Sequence, residues 1–266
     1  KSLVDEMDKI DEKFNFLYLG HWLQGGLGND RKDTGMLIKV FCETFKNMKT
    51  KPGLIMKTSG AGFSVLDRET MLTKIREIKN TISGDLPNIY LMHGDFMDEE
   101  INELYNHPKV KAHVSLTHGE GFGRPLLEAT LSEKPVMAPN WSGHVDFLKK
   151  PNAVLLGGAL ADVPKGSFPD NFHVDGMKWF TVNYQEASAT MKDIYKNYRK
   201  YTLPAKKLAM YNKSKFSLDE MTRQFGKILD KYVPEFAEEV KLELPKLNKV
   251  SETKAPEIKL PKLKKV

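Results

Sequence analysis

The chain has 266 residues and a mass of 30.3 kDa, 40% hydrophobic and 29% charged. That suits one large domain or two small ones and excludes a wholly disordered chain. The net charge is +6, but residues 241–266 hold eight lysines and three glutamates, so residues 1–240 carry only +1, and a globally basic nucleic-acid-binding fold is excluded.

The chain starts on Lys1 and enters at once a polar, helix-like stretch, SLVDEMDKIDEK, which reads as the interior of a longer polypeptide. Residues 14–20 (FNFLYLG) read as a short buried strand ending in glycine, followed by a Gly-rich polar loop, HWLQGGLGNDRKD. From Thr34 a helix is expected, because Leu37, Phe41, Phe45 and Met48 recur at helical spacing on one apolar stripe. That segment holds the single cysteine, Cys42. One cysteine excludes an internal disulfide and a multi-cysteine metal site, and points to a reducing, cytoplasmic compartment.

Residues 54–58 (LIMKT) read as a second strand, 67–80 as a polar helix and 88–92 (NIYLM) as a third strand. Asp98 is placed to cap a helix through Tyr105. Residues 110–117 form a fourth strand, HGEGFG a tight loop, and Pro125 the first turn of a helix to about Ser132. Residues 135–138 are a fifth strand, NWSGH a loop, VDFLKK a short helix and 154–158 a sixth strand. Trp179 falls in a loop before a long helical region, about 184–232. No apolar run approaches 18 residues, so no membrane span is expected, and no signal-type leader is seen.

Short apolar strands alternating with helices predict an α/β fold, a Rossmann-like parallel sheet with helices on both faces. The glycine-rich and charged loops all follow strands, so they gather on the rim where such sheets bind ligands. Residues 233–266 differ: KLELPKLNKV and IKLPKLKKV repeat a Lys/Pro/Leu pattern without core-forming length, the mark of a flexible basic tail.

The sharpest constellation is Glu120-Gly-Phe-Gly-Arg-Pro-Leu-Leu-Glu128. Its glycines let backbone approach a ligand, and the helix start offers free N–H groups for a diphosphate. A carboxylate in the helix can accept both hydroxyls of a ribose diol, and one in the loop can hold sugar hydroxyls. The competing reading is a surface loop with an ordinary exposed glutamate. Arg31-Lys32, between the first strand and first helix, suits a phosphate leaving group, although most such pairs are simply solvated. His93, His113, His118 and His144 are scattered and read as loop or core histidines, and no phosphate-loop or dinucleotide fingerprint occurs.

The order FLYLG, RKDTGMLIKVFCETF, LIMKTSG, IYLMHGDFMDEEINELY and VSLTHGEGFGRPLLEATLSEKPVMAPNWSGHVDFL resembles the donor-binding C-terminal half of a GT-B glycosyltransferase. It is similar in particular to the large retaining family four, also called group 1. The resemblance covers residues 14–232. It implies a hexosyltransferase-like enzyme that uses a UDP-, GDP- or ADP-linked sugar and no bound metal or other cofactor. Glu120 would contact the donor sugar and Glu128 the ribose. Gly121, Phe122 and Gly123 would meet the sugar and diphosphate, and Arg31 and Lys32 would neutralise the leaving group. Gly20 and Gly143 would line the pocket and Trp141 would wall it. Lys57 would reach the phosphates or stay structural, and Met97 would stand beside the base.

There are departures. His21 follows Gly20 where the family often has arginine, and Arg124 replaces a commonly apolar residue. The acceptor-binding half is missing, so residues 1–13 read as a linker from it and the chain as an incomplete enzyme. The alternative is a non-catalytic adaptor of the same fold, acting through residues 241–266 on protein or nucleic acid.

Overall fold

The computed structural model describes residues 3–234 other than Gln24 and Ala61. The tail with its two LPKL motifs, and the contacts expected of residues 241–266, lie outside the described residues. Two compact units divide the chain, Lys1–Arg223 and Gln224–Val266.

The first unit is built on a six-stranded parallel sheet of β1 (Asn15–His21), β2 (Gly53–Ser59), β3 (Ile89–Met92), β4 (Val110–Val114), β5 (Val136–Pro139) and β6 (Val154–Leu156). The strand order is β3-β2-β1-β4-β5-β6, the doubly wound Rossmann order. Around it lie α1 (Leu3–Asp8), α2 (Thr34–Phe45), α3 (Val65–Asn80), α4 (Asp98–Asn106), α5 (Arg124–Leu131), α6 (Tyr184–Lys196) and α7 (Arg199–Lys215).

The two-residue period of a strand explains the two cores. On β1, Phe16 and Tyr18 point to one face and Leu17 and Leu19 to the other. Phe16 and Tyr18 join Leu37, Phe41 and Phe45 of α2, Met71 and Ile75 of α3, and Met191 and Ile194 of α6. Leu17 joins Leu104 of α4, Leu126 and Ala129 of α5, and Leu208 of α7. Both faces being covered, β1 and β2 read as unbroken apolar runs rather than as alternating patterns.

Several expectations are corrected. Asp98 is the first helical residue of α4 rather than its cap; Met97 precedes the helix, and Glu100 reaches back to accept from the Met97 N–H at 2.9 Å. The stretch around VDFLKK holds only a single 3₁₀ turn, Gly143–Asp146. Trp179 lies in a strand: β7 (Gly158–Asp162) and β8 (Lys178–Val182) form an antiparallel hairpin, with Ala161 opposite Trp179. Glycine and alanine dominate β7, whose five residues are all exposed, so it lacks the apolar alternation that marks a strand. The long helical region is three helices, α6, α7 and α8 (Leu218–Tyr232). In the second unit the described residues are the end of α8 and 233–234, and Phe225, Ile228 and Leu229 are exposed. Among the described residues no helix is long and apolar enough to cross a membrane.

Phe41 is fully buried, with ring centroids 6.0 Å from Phe16 and 5.1 Å from Phe45. Truncation leaves a cavity between α2 and the sheet. Phe41→Ala is therefore expected to cost about 3–5 kcal/mol in urea unfolding, without moving the residues at the strand ends.

Candidate functional site

The chain order turns between β1 and β4, neighbours in the sheet whose connections leave in opposite directions. At such a point the loops after the two strands part and leave a crevice at the strands' carboxyl ends. A cavity of about 600 Å³ lies there, lined from several elements. Gly20 and His21 come from β1, Arg31 and Lys32 from the following loop, and Lys57, Thr58 and Ser59 from β2. Asp95 and Phe96 come from the loop before α4, Asn102 and Tyr105 from α4, and Arg124 and Glu128 from α5.

The structure thus gathers Gly20, Arg31, Lys32, Lys57 and Glu128 around one space. Glu120, Gly121, Phe122, Gly123, Trp141 and Gly143 do not line it. They form an adjoining loop pair, joined to the cavity through the cations. Lys32 Nζ pairs with Glu120 Oε1, and Arg31 Nη1 stands 3.7 Å from Glu120 Oε2. Arg31 also donates to the Gly119 carbonyl at 2.8 Å. Burial pushes the Lys32 ammonium down from its ordinary value, and the Glu120 carboxylate pulls it back up.

The Glu120 loop is fixed by backbone geometry. The Gly143 N–H donates to the Glu120 carbonyl at 3.0 Å, the Ser142 hydroxyl donates to the same carbonyl at 2.7 Å, and the Glu120 N–H donates to Ser142 Oγ at 3.2 Å. Ser142 itself has φ 75° and ψ −171°, a backbone region that is nearly glycine-only and so a strained one. Gly123 takes φ 86° immediately before α5; Pro125 carries no N–H, and the Leu126 N–H donates to the Gly123 carbonyl at 2.9 Å. Trp141 is 43% exposed and stacks on Phe180 of β8, centroids 5.7 Å apart.

Glu128 sits on the inner face of α5. Burial pushes its carboxyl up, while Arg124, with Nε 3.2 Å away, and the Tyr105 hydroxyl draw it down. Tyr105 donates to the Pro125 carbonyl at 3.0 Å and lies 3.4 Å from Glu128 Oε2. Lys57 donates to the Gly94 carbonyl at 3.0 Å and lies over the rings of Phe63 and Phe96, 5.2 and 5.0 Å from their centroids. Burial lowers its ammonium pKa and Asp95 raises it.

Met97 does not stand in the cavity: it is 70% exposed, and its neighbours Phe96 and Asp98 line the wall instead. The register of α4 decides this, because Met97 precedes the first turn and points away. Tyr105, Asn102, Phe63 and Phe96 went unnoticed in the sequence. They lie in no local motif and meet only because two separate crossovers, β2 to β3 and β3 to β4, end at one rim. Among the described residues no group of three or more His, Cys, Asp or Glu is placed to hold a metal ion.

Asp30 and Asp33 bracket the cation pair. Asp30 accepts from the N–H groups of Thr34 (3.0 Å) and Gly35 (3.3 Å), capping α2. Asp33 adopts a left-handed φ of 52°, is fully buried and accepts from the Tyr184 hydroxyl at 2.7 Å. Burial pushes its carboxyl up to about 7 against the hydrogen bond from Tyr184, which lowers it.

No family model matches the sequence, and no curated protein sequence matches it. Solved structures do share the fold. HepE of Anabaena, determined in complex with UDP and glucose, superposes with a TM-score of 0.59 at 13% identity, over 86% of this chain and 52% of that one. The C-terminal domain of a glycosyl transferase group 1 family protein from Francisella tularensis gives 0.54 at 17% identity, over 80% of this chain and 91% of that one. Sucrose-phosphate synthase of Thermosynechococcus elongatus gives 0.57 at 13% identity, over 86% and 48%. The fold is that of a GT-B glycosyltransferase C-terminal domain. The chain spans about half the length of HepE and of the synthase.

A Cβ added at Gly143 would lie 1.9 Å from the Gly121 carbonyl oxygen, a backbone atom, whereas one added at Gly121 meets nothing within 4 Å. Gly143→Ala is expected to lower stability by about 1–3 kcal/mol and to displace the Glu120 loop. Gly121→Ala should do neither; thermal melting and the amide spectrum of residues 119–123 compare the two.

Proposed function

We propose that the chain is the donor-binding part of a retaining glycosyltransferase that moves a sugar from a nucleoside diphosphate to an acceptor hydroxyl. The observation that carries the reading is the convergence of Arg31, Lys32, Lys57 and Arg124 with Glu128 around one crevice at the topological switch point. The cations and the positive dipole end of α5 suit the diphosphate. Glu128, set one turn into α5, suits the ribose diol. Glu120, held against Lys32 and Arg31, lies where the sugar would extend beyond the phosphates.

In the reaction the bond between the anomeric carbon and the diphosphate oxygen breaks, the acceptor hydroxyl oxygen bonds to that carbon, and the hydroxyl proton passes to the departing diphosphate. Negative charge grows on the departing diphosphate. Arg31 and Lys32, fixed beforehand by Gly119 and Glu120, would stabilise it without reorganising. A sugar donor in place would share those cations with Glu120, whose carboxylate keeps lone pairs for the sugar hydroxyls. The resemblance assigns no bound metal to this step, and the reading asks for none. The acceptor would bind chiefly to residues beyond this chain, and the setting that suits buried, free Cys42 is a reducing one.

Calorimetry with UDP, GDP and ADP and their sugars tests the reading. One of the three is expected to bind. Arg31→Ala and Lys32→Ala should each weaken that binding about 10- to 100-fold. Glu128→Gln should weaken the ribonucleotide more than the 2′-deoxy analogue, which keeps only the 3′ hydroxyl of the diol. A folded sample that binds none of the three overturns the proposal.

A further inference from the structure

Two buried side chains beside the cation pair have atoms without a hydrogen-bond partner among the described residues: Asp33 Oδ1 and His118 Nε2. They face one another at 3.8 Å, between side chains that are 0% and 2% exposed. The remaining atoms of both groups are committed. Asp33 Oδ2 accepts from Tyr184 at 2.7 Å. His118 Nδ1 lies 2.8 Å from the Phe180 carbonyl, which can only accept, so Nδ1 carries the proton and Nε2 presents a lone pair. Two bare acceptors facing each other in a dry interior are costly, and one proton between them removes the cost.

We propose that Asp33 and His118 share that single proton, the 3.8 Å separation closing to hydrogen-bond distance as the Asp33 carboxyl donates to His118 Nε2, and that this link positions the Arg31–Lys32 segment against the Glu120 loop. The two residues belong to the two loops that must meet. Asp33 follows Lys32 directly, and His118 precedes Glu120 by two. Their backbones are already joined, the His118 N–H donating to the Arg31 carbonyl at 3.0 Å. Trp179 stacks on the imidazole at 3.8 Å and 9°, which fixes the ring plane and keeps Nε2 aimed at Asp33. Neither residue touches the crevice, so both are positioning residues.

The groups facing the pair are few. Tyr184 comes from α6, Asp30 from the same loop as Asp33, and the Phe180 carbonyl from β8. Burial raises the Asp33 carboxyl and lowers the His118 imidazole. Both shifts put the proton on the carboxyl and leave the ring neutral. A carboxyl raised to about 7 keeps its proton below that pH and loses it above. The link is therefore complete on the acid side and fails as pH rises through that value.

The consequence for phosphate binding rests on the glycosyltransferase reading; the link itself does not, so the experiment reads them separately. Hydrogen exchange of the His118 amide, which bonds to Arg31, reports the link without any nucleotide, and ¹⁵N spectra of the imidazole report the tautomer. In the wild type the amide's protection factor should fall about tenfold between pH 6 and pH 8, with Nε2 unprotonated and hydrogen-bonded at the lower pH. Asp33→Asn keeps a donor for Nε2 and an acceptor for Tyr184, so it should hold the protection at both pH values. Asp33→Ala should lose it at both. Protection independent of pH in the wild type, as a bridging water would give, overturns the proposal. So does Asp33→Asn falling as far as Asp33→Ala, or a ring protonated at Nε2. If these results hold and no nucleotide binds, the link stands and the functional reading falls.

Discussion

Everything at the rim depends on the reversal of strand order between β1 and β4. Because the chain leaves β1 in one direction and β4 in the other, residues 30–33 after β1 and residues 115–123 after β4 meet at one rim, the first lining the crevice through Arg31 and Lys32 and the second adjoining it. The remaining elements serve that meeting. Asp30 caps α2 and so fixes where the first loop ends. Ser142 and Gly143 clasp the Glu120 backbone and fix the second. The ion pairs from Lys32 and Arg31 to Glu120 then cross between them. A partly buried ion pair at this place says little about stability, since desolvation offsets much of its attraction. It says more about geometry: the cations are held in register with the Glu120 loop.

The cavity's chemistry is mixed rather than simply basic. Arg31, Lys32, Lys57 and Arg124 face it together with Asp95, Asp98 and Glu128. This agrees with a body that carries only +1 over residues 1–240. A few placed cations suffice for an anionic ligand when neighbouring carboxylates and aromatic rings keep each in position, as Phe63 and Phe96 do for Lys57. Salt-dependent attraction over long range would belong to residues 241–266 instead.

Much of the fold was legible in the sequence because the strands are apolar on both faces and the helices are spaced around them. Residues 14–20, 54–58 and 88–92 read as strands within a residue or two of where they lie, and the α2 stripe of Leu37, Phe41 and Phe45 is core. The hairpin of β7 and β8 was not legible, since an exposed Gly-Ala strand carries no apolar alternation. The site was half legible. Glu120, Glu128 and the Arg31-Lys32 pair stand out by motif, and the structure does gather the cations with Glu128. Tyr105, Phe96, Asp33 and His118 belong to no motif; their importance is a product of tertiary approach. Met97 stands outside the cavity for a simpler reason: α4 begins at Asp98, the residue expected to cap it, so Met97 takes the exposed position before the first turn.

The three tryptophans differ sharply in their access to water. Trp22 and Trp179 are 2% and 8% exposed, whereas Trp141 is 43% exposed and adjoins Ser142, whose hydroxyl is bonded to the Glu120 backbone. An aqueous quencher such as iodide therefore reaches Trp141 far more readily than the other two. The protein carries a native optical gauge of its own Glu120 loop, readable without any label.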